Sequence, residues 1–99
     1  MFTFKKHIYQ GQYASFERDY TDIKLKKKVV GNIVEIRNGY YQVGFMVVKQ
    51  DILEDKNPNC EWRWIFLAKT FSNEKEAREF VNFGYEKIIK KYNLYCLGD

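Results

Sequence analysis

A short chain does chemistry with imidazoles, thiols and paired carboxylates, and here these are few and scattered. His7 is the single histidine, Cys60 and Cys96 are the two cysteines, and no Cys, Ser or acid lies near His7 in the sequence. The cysteines lack CxxC spacing, so zinc would find too few soft ligands. In a reducing compartment both read as free thiols. The carboxylates find lysines instead: Lys75 with Glu79 and Glu86 with Lys90 stand four residues apart, the spacing of a solvated helix face. With no glycine-rich phosphate loop and no metal-ligand array, the residues argue for a non-enzymatic chain without metal or cofactor.

Two other groups of residues are suited to binding. Lys24, Lys26, Lys27 and Lys28 put four cations within five residues, enough to neutralise phosphates and make affinity fall with salt. Lysines at this density also guard an edge strand against self-pairing, and both readings stand at this point. The cations Lys87, Lys90 and Lys91 have a structural role to hand, because positive charge complements the carboxyl end of a helix. The second group is Glu61-Trp62-Arg63-Trp64-Ile65-Phe66-Leu67. Strand alternation sends Trp62, Trp64 and Phe66 to one face and Arg63, Ile65 and Leu67 to the other. One apolar set must therefore leave the core. If it is the aromatic set, it forms a platform that stacks bases or anchors a protein; if residues 1 to 20, with Phe2, Phe4, Ile8, Tyr13 and Phe16 to bury, cover that face, it is core.

The element that positions both groups is a hairpin over Val29 to Lys49. Asn38-Gly39 between alternating apolar residues signals a two-residue turn, which sets Ile36 opposite Tyr41, Val34 opposite Val43 and Asn32 opposite Phe45. Val30, Val34, Ile36, Tyr41, Val43, Phe45 and Val47 then form a core face, and Ile33, Glu35, Arg37, Tyr40, Gln42 and Met46 form the other. Before the hairpin, Phe2 to Ile8 reads as an edge strand, the next stretch as either a partner strand over Tyr13 to Arg18 or a helical turn or two over Gly11 to Tyr20, and Ile23 to Lys28 as an alternating run leading into Val29. Gln50 to Cys60, with the only proline, is a loop. Glu61 to Phe71 is a further strand. Ser72 then caps a helix whose stripe of Ala77, Phe80, Val81, Gly84, Ile88 and Tyr92 runs to Asn93. Gly84 within that stripe suggests close approach to a bulky sheet residue.

Ninety-nine residues, 45% hydrophobic, are expected to fold as one domain, residues 1 to 99. The expected fold class is α+β: an antiparallel sheet of three to five strands with one long C-terminal helix packed on one face. No apolar run is long enough to span a bilayer and the amino terminus has no signal-peptide core, so the expected location is cytoplasmic and no membrane partner is implied. A net charge of +4 is compatible with an anionic partner.

Strand, turn, strand, loop and strand, followed by Phe71-Ser72-Asn73-Glu74-Lys75-Glu76-Ala77, resembles the arm-site DNA-binding domain of tyrosine integrases. That family has a three-stranded sheet and a helix opening on a similar F-[ST]-x-x-E-A stretch. Over Val29 to about Tyr92 the resemblance implies a sheet laid in the major groove, with Arg37, Tyr40, Gln42, Arg63 and Lys69 near DNA, binding without cutting. Taken together, the candidate nucleic-acid or partner-binding residues are Lys24, Lys26, Lys27, Lys28, Arg37, Tyr40, Gln42, Trp62, Arg63 and Trp64. The expected partner is nucleic acid or a nucleic-acid-handling protein, with no small-molecule substrate. The alternative is a phage-encoded, anti-CRISPR-like inhibitor that binds a host nuclease. Oligomeric state is open.

Overall fold

A computed structural model of the chain describes residues 1–8, 19–36, 39–48 and 62–96. Five strands, β1 (Thr3–His7), β2 (Tyr20–Leu25), β3 (Lys28–Glu35), β4 (Tyr41–Val48) and β5 (Trp62–Phe71), form one antiparallel sheet in sequence order. Two helices, α1 (Glu74–Phe83) and α2 (Tyr85–Lys91), follow. Side-chain alternation gives each strand a helix-covered face and a distal face. Under the helices lie Phe2, Ile23, Val30, Ile33, Val43, Phe45 and Phe71, packed with Ala77, Val81 and Ile88.

The amino terminus goes to this helix-covered core. Phe2 is buried, its ring meets Phe45 and packs edge-on against Tyr85 at 5.0 Å, and its backbone N–H donates to Asn82 Oδ1. Phe4 lies beneath the Arg78 guanidinium at 5.2 Å. Of the residues expected to cover the second face, these two therefore go to the first. Ile8 is exposed, and Tyr13 and Phe16 lie outside the described residues.

The hairpin stands where expected, but its register is shifted by one. Ile33 pairs with Val43, Gly31 with Phe45 and Asn32 with Gly44. Residues 37–39 separate Ile36, whose N–H donates to the Tyr40 carbonyl at 2.7 Å, from its partner, and Gly39 has φ +76°. A three-residue loop with a left-handed third residue is the next commonest hairpin connection after the two-residue turn. The shift flips β3 alone. It places Ile33 rather than Asn32 under the helices, which avoids burying an amide in the apolar layer. Gly31 fits opposite Phe45 because a Cβ there would stand 2.2 Å from the Gly44 carbonyl oxygen.

The two-residue turn occurs elsewhere, inside the lysine run. Leu25 pairs with Lys28, and the intervening Lys26 and Lys27 have φ of 51° and 67°. Positive φ at both central residues is the signature of a type I′ turn. The run is thus not an extended approach to Val29 but the tip of the β2–β3 hairpin. One residue later β3 bulges, with Val30 as the additional residue between the Ile23–Gly31 and Lys24–Val29 pairs. β3 leaves β4 beyond Gly31, and the C-terminal segment takes its place: Val48 N–H donates to the Asn93 carbonyl, Tyr95 N–H to the Met46 carbonyl, and Leu94 bridges Val47.

The expected single helix is divided at Gly84, and its cap is Asn73 rather than Ser72. Asn73 Oδ1 accepts the Glu76 N–H at 2.8 Å, while Ser72 Oγ donates to the Glu76 carboxylate. Hydrogen bonds continue through the junction, from Gly84 N–H to the Phe80 carbonyl and from Ile88 N–H to the Gly84 carbonyl. A Cβ on Gly84 would make ordinary contacts with Phe80 and Ile88 and none with the sheet. The glycine is therefore not explained by close approach to a sheet residue.

Candidate nucleic-acid interface

The distal face of β5 carries an aromatic ladder, because residues two apart on a strand share a face. Trp62 meets Trp64 edge-on at 5.6 Å, and Trp64 lies parallel to Phe66 within 12° at 6.1 Å. Tyr95 stacks on Trp62 at 6.1 Å. Opposite, Val48, Met46 and Gly44 pair with Trp62, Trp64 and Phe66 in turn. Gly44 is the seat of the ladder: a Cβ there would lie 2.9 Å from Phe66 Cε1 and 3.3 Å from Trp64 Cε3, so both rings lean over bare backbone. Met46 is buried at this position, whereas Trp64 is 37% and Phe66 55% exposed. Large aromatic rings are left in water on the face away from the helices.

The β2–β3 turn projects Lys26, Lys27 and Lys28, all exposed, from the sheet end where β4 finishes and β5 begins. Lys24 stands on the distal face of β2 opposite Thr3, and Lys5 of β1 stands on the same face opposite Asp22. At this end β3, the returning C-terminal segment and β4 all lie between β2 and β5, so the two strands are more than three strand spacings apart, over about 14 Å. At the other end of β1 and β2, His7 stacks on Tyr20 at 4.7 Å, and its Nε2 lies 2.6 Å from Asp22 Oδ2. The imidazole is thus held in a half-buried contact with a carboxylate. Asn32, midway across this face, is buried, and its Oδ1 has no hydrogen-bond partner among the described residues.

Of the sequence candidates, Trp62, Trp64, Gln42 and Lys24 share the distal face, and Lys26, Lys27 and Lys28 stand at its end. Gln42 is half-buried between Val34 and Thr70, and Tyr40 is exposed at the β3–β4 hairpin. Arg63 pairs with Val47 on the helix side of β5, so the sheet separates it from the tryptophans. Arg37 lies outside the described residues, as do Cys60 and the 50–60 loop. Gly44 and Tyr95 were not among the residues the sequence singled out. A glycine inside an apolar strand was the available signal for the first; Tyr95 joins the ladder only through the long-range return of the chain.

The helix side carries a different constellation. Glu74 Oε1 accepts from the Thr21 hydroxyl and from Arg78 Nη2 at 3.0 Å, and Lys6 Nζ lies 3.8 Å from Oε2. Burial works to raise the pKa of this carboxyl, but the Thr21 and Arg78 hydrogen bonds and the two cations outweigh it and hold it below the ordinary glutamate value. An open cleft of about 450 Å³ lies between β5 and α1, lined by Lys69, Phe71, Glu79, Phe80 and Phe83. Lys69 Nζ sits over the Phe80 ring at 4.9 Å, and Phe83 is 95% exposed. Cys96 is exposed and unbridged. Among the described residues, no three His, Cys, Asp or Glu side chains cluster to hold a metal ion. Compared with protein-family models, curated proteins and solved structures, the chain matches none.

Proposed function

We propose that this chain is a small non-enzymatic binding module that engages nucleic acid through the distal face of its sheet. The observation that carries the reading is the pairing of exposed, parallel Trp64 and Phe66 rings with a lysine turn at the same end of the sheet. Rings offer bases a stacking surface and lysines offer phosphates a counter-charge. Backbone conformation supports a role for the turn. Lysine is a poor choice for two consecutive positive-φ positions, where Asn-Gly is relaxed, and a strained position that keeps its charge suggests selection for that charge. The likeness to the integrase arm-site domain would add Gln42 on this face, but it draws Arg63 and Lys69 from the helix side, so the distal-face reading rests on the aromatic ladder instead.

The test is a titration of labelled nucleic acid at increasing salt. Binding at low salt whose logarithm falls linearly with the logarithm of salt concentration supports the reading; absence of binding at low salt, or an affinity indifferent to salt, overturns it. A second reading, a module that binds a protein such as a host nuclease, draws on exposed Phe83 beside the β5–α1 cleft. It predicts that Phe83→Ser abolishes capture of a stoichiometric partner that Trp64→Ala still captures.

A further inference from the structure

We infer that the nucleic acid recognised is a single strand with its bases unstacked, not a duplex; this rests on the nucleic-acid reading above. Ring exposure is the first reason. Trp64 is 37% and Phe66 55% exposed, with planes within 12° of parallel, so two large rings stand open to a planar ligand. The second reason is the seat. Atoms of both rings lie over Gly44, where a Cβ would have stood, and both rings remain exposed, so aromatic surface is available to a base face. In a duplex that face is covered by the neighbouring base pairs.

The third reason is what lies between rings and lysines. Groove reading needs polar side chains that reach base edges. Between the rings and the lysines the distal face presents Met46 and Gly44, both buried, Asn32, 7% exposed, and the half-buried Tyr95 already stacked on Trp62, with the half-buried Gln42 further along β4. Arg63 is on the opposite side. This low strip offers little that projects into a groove, but a flexible strand can cross it, with bases on β5 and backbone phosphates at Lys24 and the Lys26–Lys28 turn. Recognition of this kind tolerates sequence, because every base has a face to stack. The shared ligand chemistry is an exposed base plus phosphodiester, from DNA or RNA.

The experiment measures fluorescence anisotropy of the full chain with labelled oligothymidylate, oligouridylate and a blunt DNA hairpin of matched length. Single strands should bind at least about tenfold tighter than the hairpin, and a preference for either single strand identifies the sugar while supporting the inference. Trp64→Ala should weaken single-strand binding by about tenfold to a hundredfold, Phe66→Ser similarly, and Trp64→Phe much less, since a ring remains. Phe66 is more than half exposed, and a thermal melt of each variant checks that it is folded. Duplex binding equal to or tighter than single-strand binding, with Phe66→Ser and Trp64→Phe both neutral, overturns this inference and leaves the nucleic-acid reading standing. No binding to any of the three probes at low salt overturns both.

Discussion

Lys26→Asn with Lys27→Gly should make the protein more stable and a weaker ligand binder at once. Both lysines hold positive φ in a two-residue turn between Leu25 and Lys28. A left-handed conformation costs a residue with a Cβ about 1–2 kcal/mol. Glycine removes that term at one position, less about 0.5–1 kcal/mol for its greater freedom in the unfolded chain. Asparagine, enriched in this region, relieves part of the term at the other. The net expectation is about 1–2 kcal/mol of added stability, which for a domain of this size corresponds to a rise of roughly 5–15 °C in Tm. Urea unfolding followed by tryptophan fluorescence measures it, with an unchanged slope showing that the gain is in stability. The same variant removes two cations, so the salt dependence of single-strand binding should flatten by about 1.4 in log–log slope. Lys26→Gln with Lys27→Gln separates the effects: it keeps the side-chain strain, and so the stability, while losing the charge. A turn variant no more stable than the parent would refute the strain argument. One that binds with an unaltered salt slope would remove the lysines from the interface.

The glycines give two further contrasting expectations. Gly84→Ala should stabilise the protein by about 0.5–1 kcal/mol, because φ −90° suits alanine, a Cβ meets nothing closer than 3.5 Å, and the unfolded chain loses freedom; a urea midpoint below the parent's would contradict this. Gly44→Ala should displace Phe66 and Trp64, since the new Cβ would stand 2.9–3.3 Å from their rings; altered tryptophan emission and weaker oligonucleotide binding would register it, and an unchanged spectrum and affinity would count against the seat. Glu74→Gln should destabilise the protein by about 1 kcal/mol near neutral pH through its bonds to Thr21 and Arg78. Because the folded carboxyl titrates below its ordinary value, its contribution is complete above that value and lost as pH falls through the folded one. The gap between parent and variant midpoints should therefore close on acidification, and a gap that widens would reverse the assignment.

Parts of this fold were legible because the local signal and the tertiary demand agree. Alternation alone separates Trp62, Trp64 and Phe66 from Arg63, Ile65 and Leu67, and the register of β5 on β4 keeps that separation. Of the stripe Ala77, Phe80, Val81, Gly84, Ile88 and Tyr92, the residues Ala77, Val81 and Ile88 become the buried side of the helices, whereas Phe80 stays 38% exposed beneath Lys69. The hairpin register was not legible, because Asn38-Gly39 suits a three-residue loop as well as a two-residue turn, and the choice was decided by Ile33 competing with Asn32 for the core. The Lys26–Lys27 turn gave no sequence warning: lysine has no turn chemistry, and the conformation is imposed by pairing of Ile23 and Leu25 with the strand that follows. Tyr95 reached the aromatic ladder only because the β3 bulge left a stretch of β4 for the chain end to pair with. That contact joins elements far apart in sequence, which periodicity does not encode.

Trp64 is one of only two tryptophans in the chain, so its ring can be observed directly. Trp62→Phe leaves Trp64 as the sole indole reporter, with an aromatic ring still beside it. Titrating this variant with oligothymidylate at low salt should quench Trp64 emission in a saturable manner and shield it from acrylamide, and added salt should restore both signals. Emission and acrylamide access that stay constant while anisotropy reports bound oligonucleotide would place the ligand elsewhere and contradict the account.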